Sequence, residues 1–493
     1  MLVMLLGALD QTIMAPALPA VAGDLGDLGQ MPAVVTAYFV AATVVMPVYG
    51  KLGDRFGRRP LLVAAIGVFV AGAVLCALAQ SIPALVVFRA IQGAGGGGLM
   101  IGAQAVIGEV VSPRERGRYL GLLGAVWVVA AVGGPIVGGF VIDNLGWRWI
   151  FAIYPPLGAV ALVAVLRTLR LPASRFRTSI DYAGAATLAT AVVALVLLTQ
   201  AVGHTAAWPG WVVPVLATVT VAAGAAWVLT ARRARDPILP LRLFRDPAFA
   251  IPTAISFLIG FTLFGTITYL PAYLQIARGS SATGAGLVLT FLMAGVIAAV
   301  IASGRLIART GRYRAYPIVG TATATVGLAL LATVDPSSAI WLVLVFLVLI
   351  GLGIGLTMQV MMLVAQNGVP HADLGTATSA VTFLRQIGAA AGVAAVGAVI
   401  TARFAAQLPP GAADLLPGGV GALTAESLAA LPPAVHDAIG AAFGRAVPPV
   451  FGFVAPLLGL AFVLALLLPD RPLREKAHVD ATQQPDPAER TAP

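Results

Sequence analysis

The chain consists of long apolar runs separated by short polar turns along most of its length. A helix needs about 20 mostly apolar residues to cross the hydrocarbon core of a membrane, and fourteen runs come close to that length. The runs cover residues 2–22, 31–50, 60–80, 83–108, 118–142, 148–168, 182–202, 211–231, 250–275, 284–304, 315–334, 339–364, 374–402 and 450–468. The pattern predicts an all-α integral membrane protein with fourteen transmembrane helices.

Composition argues for a membrane protein and against a nucleic-acid-binding one. Of the 493 residues, 59% are hydrophobic and 10% are charged, whereas soluble domains carry about 25% charged residues. The net charge of +10 comes from short cation clusters between apolar runs, without interleaved aromatic residues. Such clusters orient membrane spans and contact anionic lipid, so membrane lipid is an expected partner and nucleic acid is not.

Several classes of site and segment are not expected from this sequence. Cys76 is the only cysteine and the four histidines are scattered, so neither a disulfide nor a metal site is expected. A phosphate-binding Gly-Lys-Ser/Thr loop is also absent from the sequence, which argues against direct ATP drive. Residues 1–20 lack a cationic region and contain Asp10, unlike a signal peptide. The first run begins at residue 2 without a polar leader, which is compatible with a start further upstream.

The cations lie in alternate connections between the runs. They are Lys51, Arg55, Arg58 and Arg59; Arg114, Arg116 and Arg118; Arg167, Arg170, Arg175 and Arg177; Arg232, Arg233, Arg235, Arg242 and Arg245; Arg305, Arg309, Arg312 and Arg314; and Arg471, Arg474 and Lys476. Because cation-rich loops face the cytoplasm, an even number of spans puts both termini there. The long loop 403–449 then lies outside, and residues 469–493 form a disordered cytoplasmic tail.

Short patterns recur in the same order in the two parts of the chain. "GKLGDRFGR" (50–58) matches "GRLIARTGR" (304–312), and "QGAGGGG" (92–98) matches "IGLGIGL" (350–356) at its glycines. The repeats predict two related six-helix bundles, with parallel halves around a midplane site as in transporters. The predicted units are an N-terminal bundle 1–168, two inserted helices 182–231, a cytoplasmic connection 232–249 and a C-terminal bundle 250–468.

Five short stretches follow one another along the first part of the chain: "LDQTIMAPALP" (9–19), "GKLGDRFGRRP" (50–60), "RAIQGAGGGG" (89–98), "GGPIVGGFV" (133–141) and "WRWIFAIYPP" (147–156). In this order and spacing they resemble the major facilitator superfamily, in its fourteen-span drug/proton antiporter branch (EmrB/QacA type). In the last stretch, Tyr154 stands where the family usually has Asn. The resemblance implies a transporter, not an enzyme, that uses the proton motive force without a cofactor.

Two ions lie inside predicted spans. Asp10 is about nine residues into the first run, near mid-bilayer at about 1.5 Å per residue, where a carboxylate costs about 2.5–3.5 kcal/mol. An apolar setting favours the neutral acid, so we expect proton exchange there; a structural Asp hydrogen-bonded by Gln11 and Thr12 is the alternative. Arg89 stays charged and needs a partner, and Gln92 is expected to share its hydrogen bonds. We assign proton coupling to Asp10 and Arg89.

The charged loop at residues 50–60 is predicted to act as a gate. Its glycines permit a tight turn, and Asp54 can bind a helix N-terminus or a cation. A solvated loop that only sets topology is the alternative, whereas the resemblance implies a latch that holds the inside-closed state. The gating residues are Gly50, Asp54, Arg55, Gly57, Arg58 and Arg59, with Glu109 as the expected partner of Arg55 or Arg59.

Two further groups complete the predicted site. The resemblance links the "GGPIVGG" segment to antiport, and Pro135 removes a backbone donor there; the hinge residues are Gly134, Pro135, Gly138 and Gly139. A wide amphipathic substrate cavity is predicted from polar and aromatic residues within the spans. Its candidates are Gln11, Tyr38, Gln92, Trp127, Met358, Gln359, Gln366 and Arg385.

The sequence therefore favours a monomer in a bacterial cytoplasmic membrane that exports small amphipathic compounds against protons by alternating access. An exporter of a self-made metabolite (an antibiotic, lipid or siderophore) is the main alternative. A proton-coupled importer conflicts with the antiport segment. A membrane enzyme would need paired catalytic acids or a His/Asp site, and a non-transporting sensor would keep the fold without moving a dye.

Overall fold

The computed structural model describes residues 1–14, 17–25, 31–169, 181–203, 209–408 and 433–473, and all regular structure within them is helical. The helices are α1 (Leu2–Ile13), α2 (Leu18–Leu25), α3 (Met31–Phe56), α4 (Arg58–Ala77), α5 (Ile82–Val110), α6 (Pro113–Leu145), α7 (Trp149–Ala152), α8 (Tyr154–Thr168), α9 (Tyr182–Gly203), α10 (Val212–Arg233), α11 (Pro247–Ile276), α12 (Ala282–Thr310), α13 (Ala315–Leu331), α14 (Ile340–Asn367), α15 (Leu374–Ala405), α16 (Pro433–Ala446) and α17 (Pro448–Leu466).

Within the described residues, twelve segments are long and apolar enough to cross a membrane. The two remaining predicted runs are also helical and apolar, but shorter, at Leu2–Ile13 and Ala315–Leu331. The run predicted at 2–22 is divided, because α1 ends at Ile13 and α2 begins at Leu18. Proline at the start of α2 lacks the backbone donor that a continuous helix would use.

The predicted loop 403–449 contains a helix that the sequence pattern did not reveal. α15 continues to Ala405, and α16 occupies 433–446, where Ile439, Ala442 and Phe443 are buried. α16 packs against α15 and α11, so its apolar side closes one end of that helix group. The rest of the loop at 409–432, the tail at 474–493 and the cations Arg170, Arg175, Arg177, Arg474 and Lys476 lie outside the described residues.

The long helices form two groups. In the first, α3 and α4 both pack along α5, α1 packs against α6, and α8 packs against α4. In the second, α11 packs along α15, α14 contacts α12 and α13, and α17 contacts α13 and α11. The groups meet through α6 against α12 and α3 against α15. We call them the N-bundle (α1–α8) and the C-bundle (α11–α17).

Helices α9 and α10 form a separate pair. They pack against each other, and α9 also contacts α15 and α3 where the two bundles meet. α10 is largely exposed, with only Val212, Ala223 and Ala231 buried. Because α10 is apolar and buries little of its surface against other helices, we expect lipid to cover its exposed side.

Glycine permits two close helix crossings that position the site. An ideal Cβ added to Gly72 of α4 would lie 2.5 Å from the Cα of Gln92 on α5. A Cβ on Gly304 of α12 would lie 2.9 Å from the carbonyl carbon of Gly117 on α6. Both distances are too short for a methyl group, so these helices can approach so closely only because the side chain is absent.

The residues 147–156 anchor α2 to the end of α6. The Trp147 indole nitrogen donates to Asp24 Oδ2 at 3.0 Å, and Arg148 forms an ion pair with the same carboxylate. Together the guanidinium and the indole hold the pKa of the exposed Asp24 below its usual value. Arg148 also donates to the carbonyl of Ala79 at 3.1 Å, so one side chain ties two connections of the N-bundle.

Candidate functional site

Asp10 and Arg89 form a buried ion pair between α1 and α5. Arg89 Nη1 donates to Asp10 Oδ2 at 2.8 Å and to Gln92 Oε1 at 2.8 Å. Gln92 Nε2 donates to Asp10 Oδ1 at 2.9 Å, which closes a three-residue ring of hydrogen bonds. Each of the two ions is only 1% exposed. Because each charge is paired and hydrogen-bonded, part of the cost of burying it is offset.

Aromatic side chains enclose this ion pair. The Arg89 guanidinium carbon lies 4.4 Å from the ring centroid of Tyr38 and 5.8 Å from that of Phe151, which suits cation–π attraction. The Cys76 thiol donates to Gln92 Oε1 at 3.5 Å. Tyr154 is close to the Asp10 carboxylate, yet its hydroxyl has no hydrogen-bond partner of normal geometry among the described residues.

The partners of Asp10 come from α5, and not from its own helix. Gln11 donates instead to Met100 Sδ at 3.7 Å, and the Thr12 hydroxyl donates to the Ala130 carbonyl at 2.7 Å. The alternative in which Gln11 and Thr12 satisfy Asp10 is therefore not what the structure shows. The predicted sharing of hydrogen bonds between Arg89 and Gln92 is present.

Asp54 caps the first turn of α15 in the opposite bundle. Its Oδ1 accepts from the Gly375 amide at 2.9 Å. Its Oδ2 accepts from the amide and the hydroxyl of Thr376, at 2.9 and 2.8 Å. A carboxylate on free backbone amides at a helix N-terminus also interacts favourably with the helix dipole. The carboxylate is buried, so it joins the N-bundle to the C-bundle.

Arg58 completes this latch. It forms an ion pair with Asp54, and its Nε donates to Glu109 Oε2 at 3.1 Å. The predicted pairing of Glu109 with Arg55 or Arg59 is wrong in this structure. Arg55 instead lies over the Phe56 ring at 5.0 Å, and Arg59 donates to the Leu166 carbonyl at 2.8 Å. Gly57 has a φ of 89°, a conformation that glycine adopts readily. Helix α4 therefore begins in a direction that turns the Arg58 side chain inward.

Several other contacts hold the two bundles together at this end, which we call the Asp54 end. A Cβ on Gly50 would lie 2.6 Å from Ser379 Cβ and 2.7 Å from the Gly375 carbonyl oxygen, so glycine is required for this approach. Arg114 of α6 donates to the last-turn carbonyls of α12, at 3.4 and 3.3 Å. Lys51 of α3 also forms an ion pair with Asp236, which lies in the connection between α10 and α11. The bundles are therefore closed at the Asp54 end.

The "GGPIVGG" segment is part of one continuous helix, α6, with Pro135 inside it. Gly134 packs on Thr12 of α1, where a Cβ would lie 2.8 Å from Thr12 Cβ. Gly138 is buried, Gly139 is half-buried and Pro135 is exposed. The segment thus forms a close α1–α6 contact, and its action as a hinge stays a prediction.

A cavity of about 90 Å³ lies between the bundles. Its walls come from α1, α5 and α6 on one side and from α11, α12, α14 and α15 on the other. They are Met4, Gln11, Met100, Gln104, Gly124, Trp127, Phe264, Met293, Val296, Val300, Met358, Gln359, Thr382, Arg385 and Gln386. The Thr382 hydroxyl donates to Gln104 Oε1 at 3.0 Å. This bond between the bundles lies on the side of the cavity nearest the Asp54 end.

Five of the predicted cavity residues line this space: Gln11, Trp127, Met358, Gln359 and Arg385. The other three lie elsewhere. Tyr38 and Gln92 belong to the surroundings of the Asp10–Arg89 pair, and Gln366 lies near the latch, where it donates to Thr378 at 2.9 Å. Gln386, a polar residue beside Arg385 within the same predicted span, also lines the cavity. Sequence reasoning missed Gln104 and Phe264; a glutamine within an apolar run was the available signal for the first.

Comparison with known proteins agrees with this geometry. The profile of the Major Facilitator Superfamily matches residues 1–393. An uncharacterized MFS-type transporter of Mycobacterium tuberculosis is 38% identical over 97% of this chain and 69% of its own. Multidrug transporter protein MdtP of Bacillus subtilis is 33% identical over 81% of this chain and 74% of its own.

Solved structures agree on the fold. The human organic anion transporter MFSD10 superposes with a TM-score of 0.64 at 16% identity, over 94% of this chain and 97% of its own. This likeness concerns the fold alone. The profile match and the relatives show that the protein is a multi-pass membrane transporter and not an enzyme, and that the chain belongs to the Major Facilitator Superfamily.

Proposed function

We propose that this protein exports amphipathic compounds in exchange for protons, as a fourteen-span antiporter of the bacterial cytoplasmic membrane. The observation that carries the proposal is a cavity between two bundles, closed at the Asp54 end, beside a buried Asp10–Arg89 pair. The identity with a multidrug transporter supports export of drug-like compounds. One chain supplies both bundles and the cavity, so the working unit is a monomer.

The proposed topology puts the Asp54 end and both termini in the cytoplasm, in line with the cations there. α13 has 17 residues, about 26 Å at 1.5 Å per residue, close to the roughly 30 Å of hydrocarbon. It packs between α14 and α17, so we count it as a span. α1 packs along α6 in the same way, and α1 with α2 makes the fourteenth.

The proton step of the cycle acts on the Asp10–Arg89 ring. A proton arriving at Asp10 from outside neutralises the carboxylate and removes its ion pair with Arg89. The helix that carries Asp10 also carries Gln11, which lines the cavity, and Thr12, which is bound to α6. Loss of the ion pair therefore frees α1 to move relative to α5 and to change the cavity wall.

The energy of one proton suffices for a useful pump. One charge moving through 100 mV yields about 2.3 kcal/mol, and half a pH unit adds about 0.7 kcal/mol. The sum of about 3 kcal/mol supports a concentration gradient of roughly 150-fold. The contacts of Asp54 with α15 stabilise the state that is closed toward the cytoplasm. The protein has to break these hydrogen bonds to reach the state that is open toward the cytoplasm.

Transport by everted membrane vesicles, whose cytoplasmic face points outward, tests the proposal. Wild type should accumulate a fluorescent amphipath in the lumen only while a proton gradient is present, and Asp10→Asn should abolish that gradient-dependent transport at equal protein level. Asp143→Asn is the matched control, because Asp143 is an exposed acid at the end of α6. Undiminished transport by Asp10→Asn would refute the assignment of proton coupling to Asp10. Transport that continues unchanged when an uncoupler is added would refute proton-driven transport altogether.

A further inference from the structure

Among the residues that the structure describes, the wall of the cavity between the bundles has one charged side chain, and it is a cation. Arg385 of α15 lines the cavity, and none of the other described lining residues is Asp, Glu or Lys. The polar remainder consists of neutral amides and a hydroxyl, from Gln11, Gln104, Gln359, Gln386 and Thr382. A bound molecule therefore meets a net positive charge and several neutral hydrogen-bond donors.

Arg385 differs from the other arginines at the interface between the bundles. Arg89 has Asp10 and Gln92, Arg58 has Asp54 and Glu109, and Arg114 has backbone carbonyls. In the part of the chain that the structure describes, no carboxylate pairs with Arg385 and no side-chain hydrogen bond is made by it. Arg385 is half-buried and stays charged there. A charge partly withdrawn from water without a partner is costly, so this site favours an anion that enters it.

Arg385 is held firmly and near mid-bilayer. Its backbone lies against Gly260 of α11, where a Cβ would also come within 3.1 Å of Arg385 Cγ. It follows the start of α15 at Leu374 by eleven residues, about 16 Å at 1.5 Å per residue. That depth is about half of the hydrocarbon thickness, where substrate sites of such transporters lie.

The Asp10 carboxylate does not cancel this charge. Both of its oxygens are occupied by Arg89 and Gln92, and it is absent from the cavity wall. The pair is therefore neutral as a unit and separated from the cavity by its own burial. Proton binding and substrate charge recognition thus fall on different residues in different bundles.

We propose that the cavity selects anionic amphipaths, in which a carboxylate or sulfonate binds Arg385 and an aromatic body packs on Trp127, Phe264 and the cavity methionines. This inference rests on the proposed export function and specifies its substrate class. The glutamine amides donate additional hydrogen bonds to the anion. A cationic compound of the same shape would face like-charge repulsion from Arg385. The present 90 Å³ is below the roughly 300–1,000 Å³ of drug-sized sites, so the anionic head enters first and the body follows as the bundles separate.

The test compares two xanthene dyes of similar size and opposite charge, fluorescein and a cationic rhodamine ester. Transport is measured in proteoliposomes with an imposed proton gradient, and binding to the detergent-purified protein is measured by fluorescence anisotropy. Wild type should prefer fluorescein, and Arg385→Gln should lower fluorescein affinity and transport by roughly tenfold or more while rhodamine improves or stays unchanged. Arg385→Lys should retain the anion preference in weakened form, and Arg385→Glu should reverse it.

Arg403→Gln is the matched control, because Arg403 lies near the end of the same helix over Phe453, outside the cavity. An anisotropy signal with rhodamine in the Arg385 variants shows that they are folded. If wild type prefers rhodamine, or if Arg385→Gln keeps the wild-type dye ratio, the inference is overturned while export stands. If fluorescein binds through Arg385 but neither dye is moved, the inference holds and the export function fails.

Discussion

Removing the charge of Asp54 should open the Asp54 end of the protein. In Asp54→Asn, the amide keeps the size of the carboxylate but presents one acceptor oxygen and one donor nitrogen. The Gly375 amide, the Thr376 amide and Arg58 all need acceptors there. At least one of them therefore loses its partner, and the remaining bonds lose the charge of the acceptor.

The expected cost follows from these contacts. A hydrogen bond to a charged group contributes about 1.5–3 kcal/mol and a neutral one about 0.5–1.5 kcal/mol. The carboxylate at the helix N-terminus contributes about 0.3–1 kcal/mol more through the dipole. Weakening two or three such bonds lowers the stability of the closed state by about 2–4 kcal/mol, which shifts its ratio to the open state by roughly 30- to 1,000-fold.

Cysteine accessibility measures this shift. Cys76 is the only native cysteine and is buried, so Cys76→Ser gives a clean background. Ser379→Cys then places a thiol at the closed contact with Gly50, a position that is fully buried. An impermeant maleimide should label this introduced thiol slowly in the parent and much faster after Asp54→Asn, when it is applied to everted vesicles.

The control for this experiment is Glu115→Gln, because Glu115 is an exposed acid in the first turn of α6 on the same end. It should leave the labelling rate of the introduced thiol unchanged. Equal labelling of the Asp54→Asn and parent proteins, at matched expression, would refute the claim that the cap on α15 holds the closed state. Faster labelling in both variants would point to surface charge in general and would refute it as well.

Two further predictions concern steric and electrostatic parts of the same machinery. Gly50→Ala should also raise the labelling rate of the thiol introduced by Ser379→Cys, because the added methyl group would overlap the side chain at position 379 and the Gly375 carbonyl. The control is Gly67→Ala, where the added Cβ meets no atom within 4 Å, and it should leave the labelling rate unchanged. Asp10→Asn alone leaves Arg89 as an unpaired buried ion and should cost about 3–5 kcal/mol, visible as a lower melting temperature in detergent. Asp10→Asn with Arg89→Gln should recover most of that stability without restoring coupled transport, and a double variant as unstable as the single one would contradict the pairing.

Hydropathy predicts most of this fold because membrane helices have to be apolar over their whole length. It also marks Asp10 and Arg89, since ions inside apolar runs are costly and need a partner. It does not reveal the rotation of each helix, because a helix that is apolar on all sides gives no preferred face. For that reason Gln11, which lines the cavity, and Gln366, which does not, look alike in the sequence.

The partners across the bundles were the hardest part to predict. Asp54 binds the amides of Gly375 and Thr376, which are backbone groups and carry no side-chain signal. The choice of Arg58 over its two arginine neighbours depends on the left-handed Gly57, which fixes the direction in which α4 begins. The helix α16 escaped notice because alanine, proline and glycine around it mask the spacing of Ile439 and Phe443.

The charge of the substrate also sets the response of transport to membrane voltage. If one proton enters while a monovalent anion leaves, two charges move in the same electrical direction in each cycle. A potential of 100 mV then contributes about 4.6 kcal/mol, against about 2.3 kcal/mol for a neutral compound, or a limiting gradient of roughly 2,000-fold against roughly 50-fold. In proteoliposomes with potassium diffusion potentials set by valinomycin, the logarithm of the gradient of a monovalent anionic dye should rise with voltage at twice the slope of that of a neutral dye of similar size. Equal slopes for the two dyes would refute exchange of a proton for an anion at the cavity of Arg385, whatever the rate of either.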